Sequence, residues 1–308
     1  MSRRPSRAGA WALLLVGVAA LLAAWWLTNR PTPESSADGS VSAPTRSASV
    51  ATSAPDGPVP PEAQPAVARW VIDGDTIDVE IEDSTRGEGA QPAAGASTTA
   101  PVPATHRLRL ANIDAPEIEH PDQPAQCRGE AAKSALIALA PRGTALRIVL
   151  LGRDVHGREV GEAWLPDGRM LGAEIARAGL AAPMTVGDLD TYRPVIDTAR
   201  DEAATARRGL HDPTISCTLP AKVSALESRL HGIRGSDGPA ATGGETEDAT
   251  QVATQAAAID AEAATLLADL THLFPRPGVA ALTDATRADL VARVRAIAQA
   301  AQQLRSGA

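Results

Sequence analysis

The stretch from residue 67 to residue 81 constrains the fold most. Residues 67–72 and 77–81 are apolar-rich runs, and the second alternates Ile77, Val79 and Ile81 with Asp78 and Glu80. Alternation of period two is the mark of a half-buried strand. Between the runs stands Asp73-Gly74-Asp75, and Asp-Gly between apolar runs is a hairpin turn signal. A chain that starts its folded region this way is committed to an antiparallel pair with one face against a core.

The return to the sheet comes at Arg107-Leu108-Arg109-Leu110-Ala111-Asn112-Ile113, which runs into Asp114-Ala115-Pro116-Glu117. The residue before a proline is pushed out of the helical region, so this reads as a strand end followed by a loop. His156-Gly157-Arg158 marks a later turn. Singly, each piece is ordinary surface. Together they gather two kinds of chemistry. Asp75, Asp114 and Glu117 offer hard oxygen ligands of the sort that hold Ca²⁺ or Mg²⁺. Arg109 and Arg158 offer guanidinium forks that grip a phosphate oxyanion bidentately. Arg109 lies five residues before Asp114, so on an unbroken strand the two point to opposite faces. They meet only where the strand ends or bulges between them.

These three segments resemble the thermonuclease (staphylococcal-nuclease-like) family, whose pattern is V-I-D-G-D-T, then R-x4-D-x-P-E, then Y-G-R. The likeness covers about residues 66–214. It implies a five-stranded OB-type β-barrel that hydrolyses DNA or RNA phosphodiesters with Ca²⁺. Residue by residue, it implies a calcium ion on the side chains of Asp75 and Asp114 and the backbone carbonyl of Ala115. It implies Glu117 as general base through a water, with Arg109 and Arg158 on the scissile phosphate. Asp73 and Thr76 would shape the turn and orient Asp75. The chain also departs from the pattern. His156 stands where tyrosine is usual, residues 181–187 lack the tyrosines that flank the base, and His211 stands where Gly-Leu-Trp is usual. Base stacking on an aromatic ring is worth about 1–3 kcal/mol per base, so weakened substrate binding is expected. Trp164 and Tyr192 are the candidate replacements. The alternative is a non-catalytic nucleic-acid-binding or scaffolding module; loss of Glu117 or an arginine would favour it, and none is lost.

Residues 1–27 read as a membrane segment. Arg3, Arg4 and Arg7 precede the uncharged, mostly apolar run 8–27, roughly the twenty residues a spanning helix needs. The arginines place the N-terminus in the cytoplasm and Trp25-Trp26 at the far interface, giving a single-pass protein of the cell membrane with its nuclease domain outside. The alternative is secretion after signal cleavage, though the apolar region of a signal is shorter and ends in an A-x-A-like site. Residues 28–65, rich in Pro, Ser and Ala, read as a solvated tether, and 83–105 as a flexible insertion in the barrel domain 66–220.

Within that domain, strands are expected over 67–72, 77–81, 106–113, 144–151 and 159–165, and helices over 129–140, 170–178 and 194–208. A short helix over 221–230 and a linker over 232–248 follow. Residues 249–308 then read as an α-helical hairpin for a protein partner of unknown identity, with Leu266, Leu267, Leu270 and Phe274 on one stripe and Leu290, Val294 and Ile297 on another. Thr286-x-x-Asp289 is the capping box expected for its second helix. The expected class is therefore α+β: an OB-type barrel with helices between a transmembrane helix and a helical hairpin. Cys127 and Cys217 are the only cysteines, both on the exported side, and are expected to form one disulfide. The chain carries a net charge of −8, and residues 66–220 hold 16 Lys and Arg against 23 Asp and Glu. That balance predicts weak non-specific phosphate binding.

Overall fold

The computed structural model describes residues 56–81, 104–121, 123–235, 245–273 and 276–307. The expected membrane segment, most of the tether and the core of the expected insertion lie outside those residues. Among the described residues no helix is long and apolar enough to cross a membrane.

Five strands close a barrel in the order β1 (Gln64–Val71), β2 (Thr76–Ile81), β3 (Thr105–Leu110), β6 (Glu159–Trp164) and β5 (Ala145–Arg153), which pairs back onto β1. All neighbours are antiparallel except β3 and β6. The alternation in β2 is honoured: Ile77 and Val79 are wholly buried while Asp78 and Glu80 face outward toward Arg107 and Arg69. A bulge between Ala68 and Trp70 shifts the phase of β1. Ala66, Ala68 and Val71 thereby all face inward, and Trp70 is left 65% exposed.

Helix α1 (Gly129–Leu139) connects the third and fourth barrel strands of the sequence and plugs one side of the core through Ala132 and Leu136. Helix α2 (Leu171–Arg177) is closed by Gly179 at φ 70°, the left-handed position glycine occupies without strain. Helix α3 (Arg193–Thr205) packs on α2. The tether expected over 28–65 gives way to folded chain by Asp56, whose carboxylate accepts the Met170 amide and pairs with Arg177. Val59 and Ala63 already pack into the barrel core.

The C-terminal region is larger than the expected hairpin. Helix α4 (Leu219–Gly235) joins α5 (Glu245–Thr271) and α7 (Asp284–Gly307), with a short α6 (Pro277–Ala280) between the last two. Val223, Leu226 and Leu230 of α4 share one buried cluster with Ile259 and Leu266 of α5 and Val294 of α7. Three amphipathic faces thus close on a common core, and Arg293 ties α7 to Glu227 of α4 at 2.6 Å. The cap of α7 also differs from the expected box. Thr283 Oγ1 accepts the Thr286 amide at 3.2 Å, so the helix starts one turn earlier, and Thr286 lies within it. The expected disulfide between Cys127 and Cys217 is present, with the Cα atoms 5.5 Å apart.

Candidate active site

The site starts at the β1–β2 turn. The Asp75 amide donates to Asp73 Oδ1 at 3.0 Å, which folds the turn and points Asp75 back under the barrel rim. Both Asp75 oxygens are then engaged: Oδ1 accepts the Thr76 hydroxyl at 2.9 Å, and Oδ2 accepts the Ala115 amide at 3.1 Å. Asp73 and Thr76 therefore do shape the turn around Asp75. Burial pushes the Asp75 carboxyl up to about 7; the nearby Asp73 charge adds to this, while Arg109 opposes it.

Asn112 brings Arg109 and Asp114 together. Strand β3 stops at Leu110, short of the residue 113 end that the pattern predicts, and Asn112 adopts φ 61° before the two-residue β4 (Ile113–Asp114). The change of direction cancels the opposite-face parity of a five-residue separation. Asn112 holds the bend with its own amide, donating to Leu189 O at 2.7 Å and accepting the Tyr192 amide at 3.0 Å. Strand β4 then pairs with β7 (Ala182–Pro183). The result is that Arg109 Nη2 lies 2.8 Å from Asp114 Oδ1 and 3.4 Å from Asp75 Oδ2. Arg109 is buried, and its Nε has no protein partner.

Glu117 projects from the following loop with its side chain nearly half exposed. Partial burial, then the charges of Asp73 and Asp114, push its carboxyl above the usual range, against the pull of His120 and Arg109. Gln126 fixes its backbone from both sides: Gln126 Oε1 accepts the Glu117 amide at 3.3 Å, and the Gln126 amide donates to Glu117 O at 2.9 Å. Gly129 lets the chain fold back this closely, since a Cβ there would lie 2.2 Å from Glu117 O. Neither Gln126 nor Gly129 is marked by the sequence pattern. Asn112 was legible in principle, being a residue type that tolerates the left-handed region and caps turns with its amide.

Arg158, the remaining expected site residue, is held within its own turn. Asp154 accepts the His156 and Arg158 amides through Oδ1 and grips Arg158 Nε through Oδ2 at 2.6 Å, closing the β5–β6 turn on itself. These bonds, with the neighbouring charge of Arg158, hold the Asp154 carboxyl below its usual range, although desolvation, the largest single influence, acts the other way.

Four carboxylates (Asp73, Asp75, Asp114 and Glu117) thus surround one buried guanidinium. Among the described residues no three His, Cys, Asp or Glu side chains converge closely enough to hold an ion by themselves. A cation here would rest on Asp75 and Asp114 with carbonyl and water oxygens completing its shell. The residues fit that role: the donors are hard oxygens, and burial, with the Asp73 charge adding to it, raises the Asp75 and Glu117 carboxyls, a cost that a cation would offset.

The family model described as Staphylococcal nuclease homologue matches residues 107–212, a span that holds Arg109, Asp114, Glu117 and Arg158. An Uncharacterized endonuclease of Escherichia coli O157:H7 is 30% identical over 140 residues, covering 46% of this chain and 72% of that protein. The Thermonuclease of Staphylococcus intermedius is 29% identical over 138 residues, covering 44% and 70%. The chain belongs to the staphylococcal nuclease homologue family. Trp164 is a core residue, with its ring 5.3 Å from that of Tyr192 in an edge-to-face pair, so it is no stacking platform. His211 is buried with neither ring nitrogen partnered, and burial, then Arg200, pulls it down to about 4. Its imidazole is therefore neutral at pH 7.

Proposed function

We propose that this chain is a calcium-dependent nuclease that hydrolyses phosphodiester bonds of DNA or RNA outside the cytoplasm. The observation that carries the reading is the convergence of Asp75, Asp114 and Arg109 within 2.8–3.4 Å, with Glu117 held on the next loop. Bound calcium would supply charge neutralisation at the phosphoryl oxygens. Asp75, Asp114 and the Ala115 carbonyl would hold it. Glu117, with its carboxyl raised toward neutrality, accepts the proton of the attacking water. Arg109 donates to an equatorial phosphoryl oxygen from a position fixed by two carboxylates, so little reorganisation is needed as charge develops. Arg158 meets the same phosphate with the N–H groups that Asp154 does not grip.

Export is supported by the Arg3, Arg4 and Arg7 cluster before the apolar run 8–27 and by the Cys127–Cys217 disulfide, a bond that persists in oxidising compartments. Anchorage by that run, with the N-terminus in the cytoplasm, is part of the proposal. The non-catalytic binding module is the second reading, favoured by the pairing of Arg158 with Asp154. Plasmid degradation with added Ca²⁺ and with chelator separates the two. Calcium-dependent loss of plasmid supports the nuclease; binding without cleavage under both conditions supports the module.

A further inference from the structure

A cleft of about 380 Å³ opens between the Glu117 loop and the C-terminal bundle, a region with no counterpart in the family match. Its barrel side is made by Pro116, Gln126 and the Cys127–Cys217 disulfide. Its bundle side carries Lys222 from α4, His272 just past α5, and Arg276 before α6, with Asp269 the one carboxylate among the described lining residues. Leu210, Leu219 and Val279 add an apolar floor. That volume and mix of apolar wall with a few charged groups are those of a small-ligand site.

The charge is the informative part. The chain holds only two lysines and is net negative, yet one lysine, an arginine and a histidine gather here. Low-dielectric walls focus such a potential into the cleft. The cleft borders the loop that carries Glu117: its wall residue Pro116 precedes Glu117, and its wall residue Gln126 holds the Glu117 backbone through two hydrogen bonds. We propose that this cleft is a nucleotide subsite, taking a nucleotide of the substrate strand beside the one being cleaved. Lys222 and Arg276 grip its phosphate, and its base and sugar lie over the apolar floor. The bundle is then the part of the molecule that lengthens the substrate grip. The assignment rests on the nuclease reading for the identity of the strand.

The test uses the full chain with Lys222→Gln plus Arg276→Gln, and separately Lys222→Glu. Binding of a fluorescent single-stranded oligonucleotide is measured in chelator across a salt series, and hydrolysis in Ca²⁺ is measured on oligonucleotides and on a chromogenic thymidine phosphodiester. Each variant lowers the charge of the cleft by two units, and both should bind the oligonucleotide several-fold more weakly. The double variant should flatten the log–log salt slope by about 0.7 for each phosphate it no longer neutralises. KM should rise on oligonucleotides, while kcat on the thymidine ester stays unchanged. Melting temperatures matching the wild type exclude misfolding as the cause. Unchanged oligonucleotide affinity and slope would overturn the subsite. A wild type that binds but does not cleave overturns the nuclease reading and leaves the subsite standing on its binding data.

Discussion

Glu117 and Arg109 make different demands on the molecule. Arg109 is locked by two buried ion pairs, whereas Glu117 depends on a loop that Gln126 and Gly129 fold back. Glu117→Gln should lower kcat by about 10²–10⁴-fold with the barrel intact, since positioned proton transfer contributes that much. Asp78→Ala is the control, because Asp78 pairs with Arg107 on the outer face of β2, away from the cluster. Equal losses in both variants would sink the assignment. A second residue-scale outcome concerns Glu162, which is wholly buried and pushed up to about 8 by burial, with Asp56 adding to the effect against the Ala163 and Gly172 amides. Its folded pKa exceeds the unfolded one, so its contribution is fully present below about pH 4.5 and is lost as pH rises through about 8. Glu162 by itself therefore makes stability fall between those limits. Glu162→Gln, which cannot ionise, should flatten that fall when unfolding is followed across the series.

At the scale of elements, the sequence carried the hairpin, the five strands and the interposed helix because alternation and Asp-Gly are local signals. The meeting of Arg109 with Asp114 was legible only as a condition, that the strand had to end between them. Asn112 meets that condition by a left-handed turn and by hydrogen bonds to residues some 80 positions away, which no local pattern encodes. Asn112→Gly keeps the backbone freedom and loses the amide bonds; Asn112→Ala loses both. Unsatisfied groups and strain each cost about 1–3 kcal/mol, so denaturant unfolding should rank wild type above glycine above alanine. A reversed order would show that the bend is set elsewhere. The short helix expected over 221–230 is longer and belongs to the bundle: Gly232 reads as a breaker, but a Cβ there would meet open space, and α4 continues past it to place Ile233 in the core. Arg158 could be named as a candidate phosphate ligand from the family resemblance, but its pairing with Asp154 depends on how the turn closes on itself.

For the whole molecule, the disulfide closes a loop across a sequence separation of 90, joining the chain just after Gln126 to the chain just before α4. In the chain-entropy model a loop of that size is worth about 4–5 kcal/mol. Reduction under native conditions should lower the denaturation midpoint by a matching amount, measured with and without reductant; an unchanged midpoint would show that the bundle and barrel hold that junction without it.

The same bond makes a ring of everything from α1 to the end of the 3-10 turn at Gly209–His211. Arg158 lies on the ring, and Asp75, Arg109, Asp114 and Glu117 lie on the tail that enters it. A protease that cuts the ring once therefore opens a circle without releasing a piece, and every residue of the proposed site stays on one covalent particle. Where proteases are present, this chain can be nicked there and still not come apart.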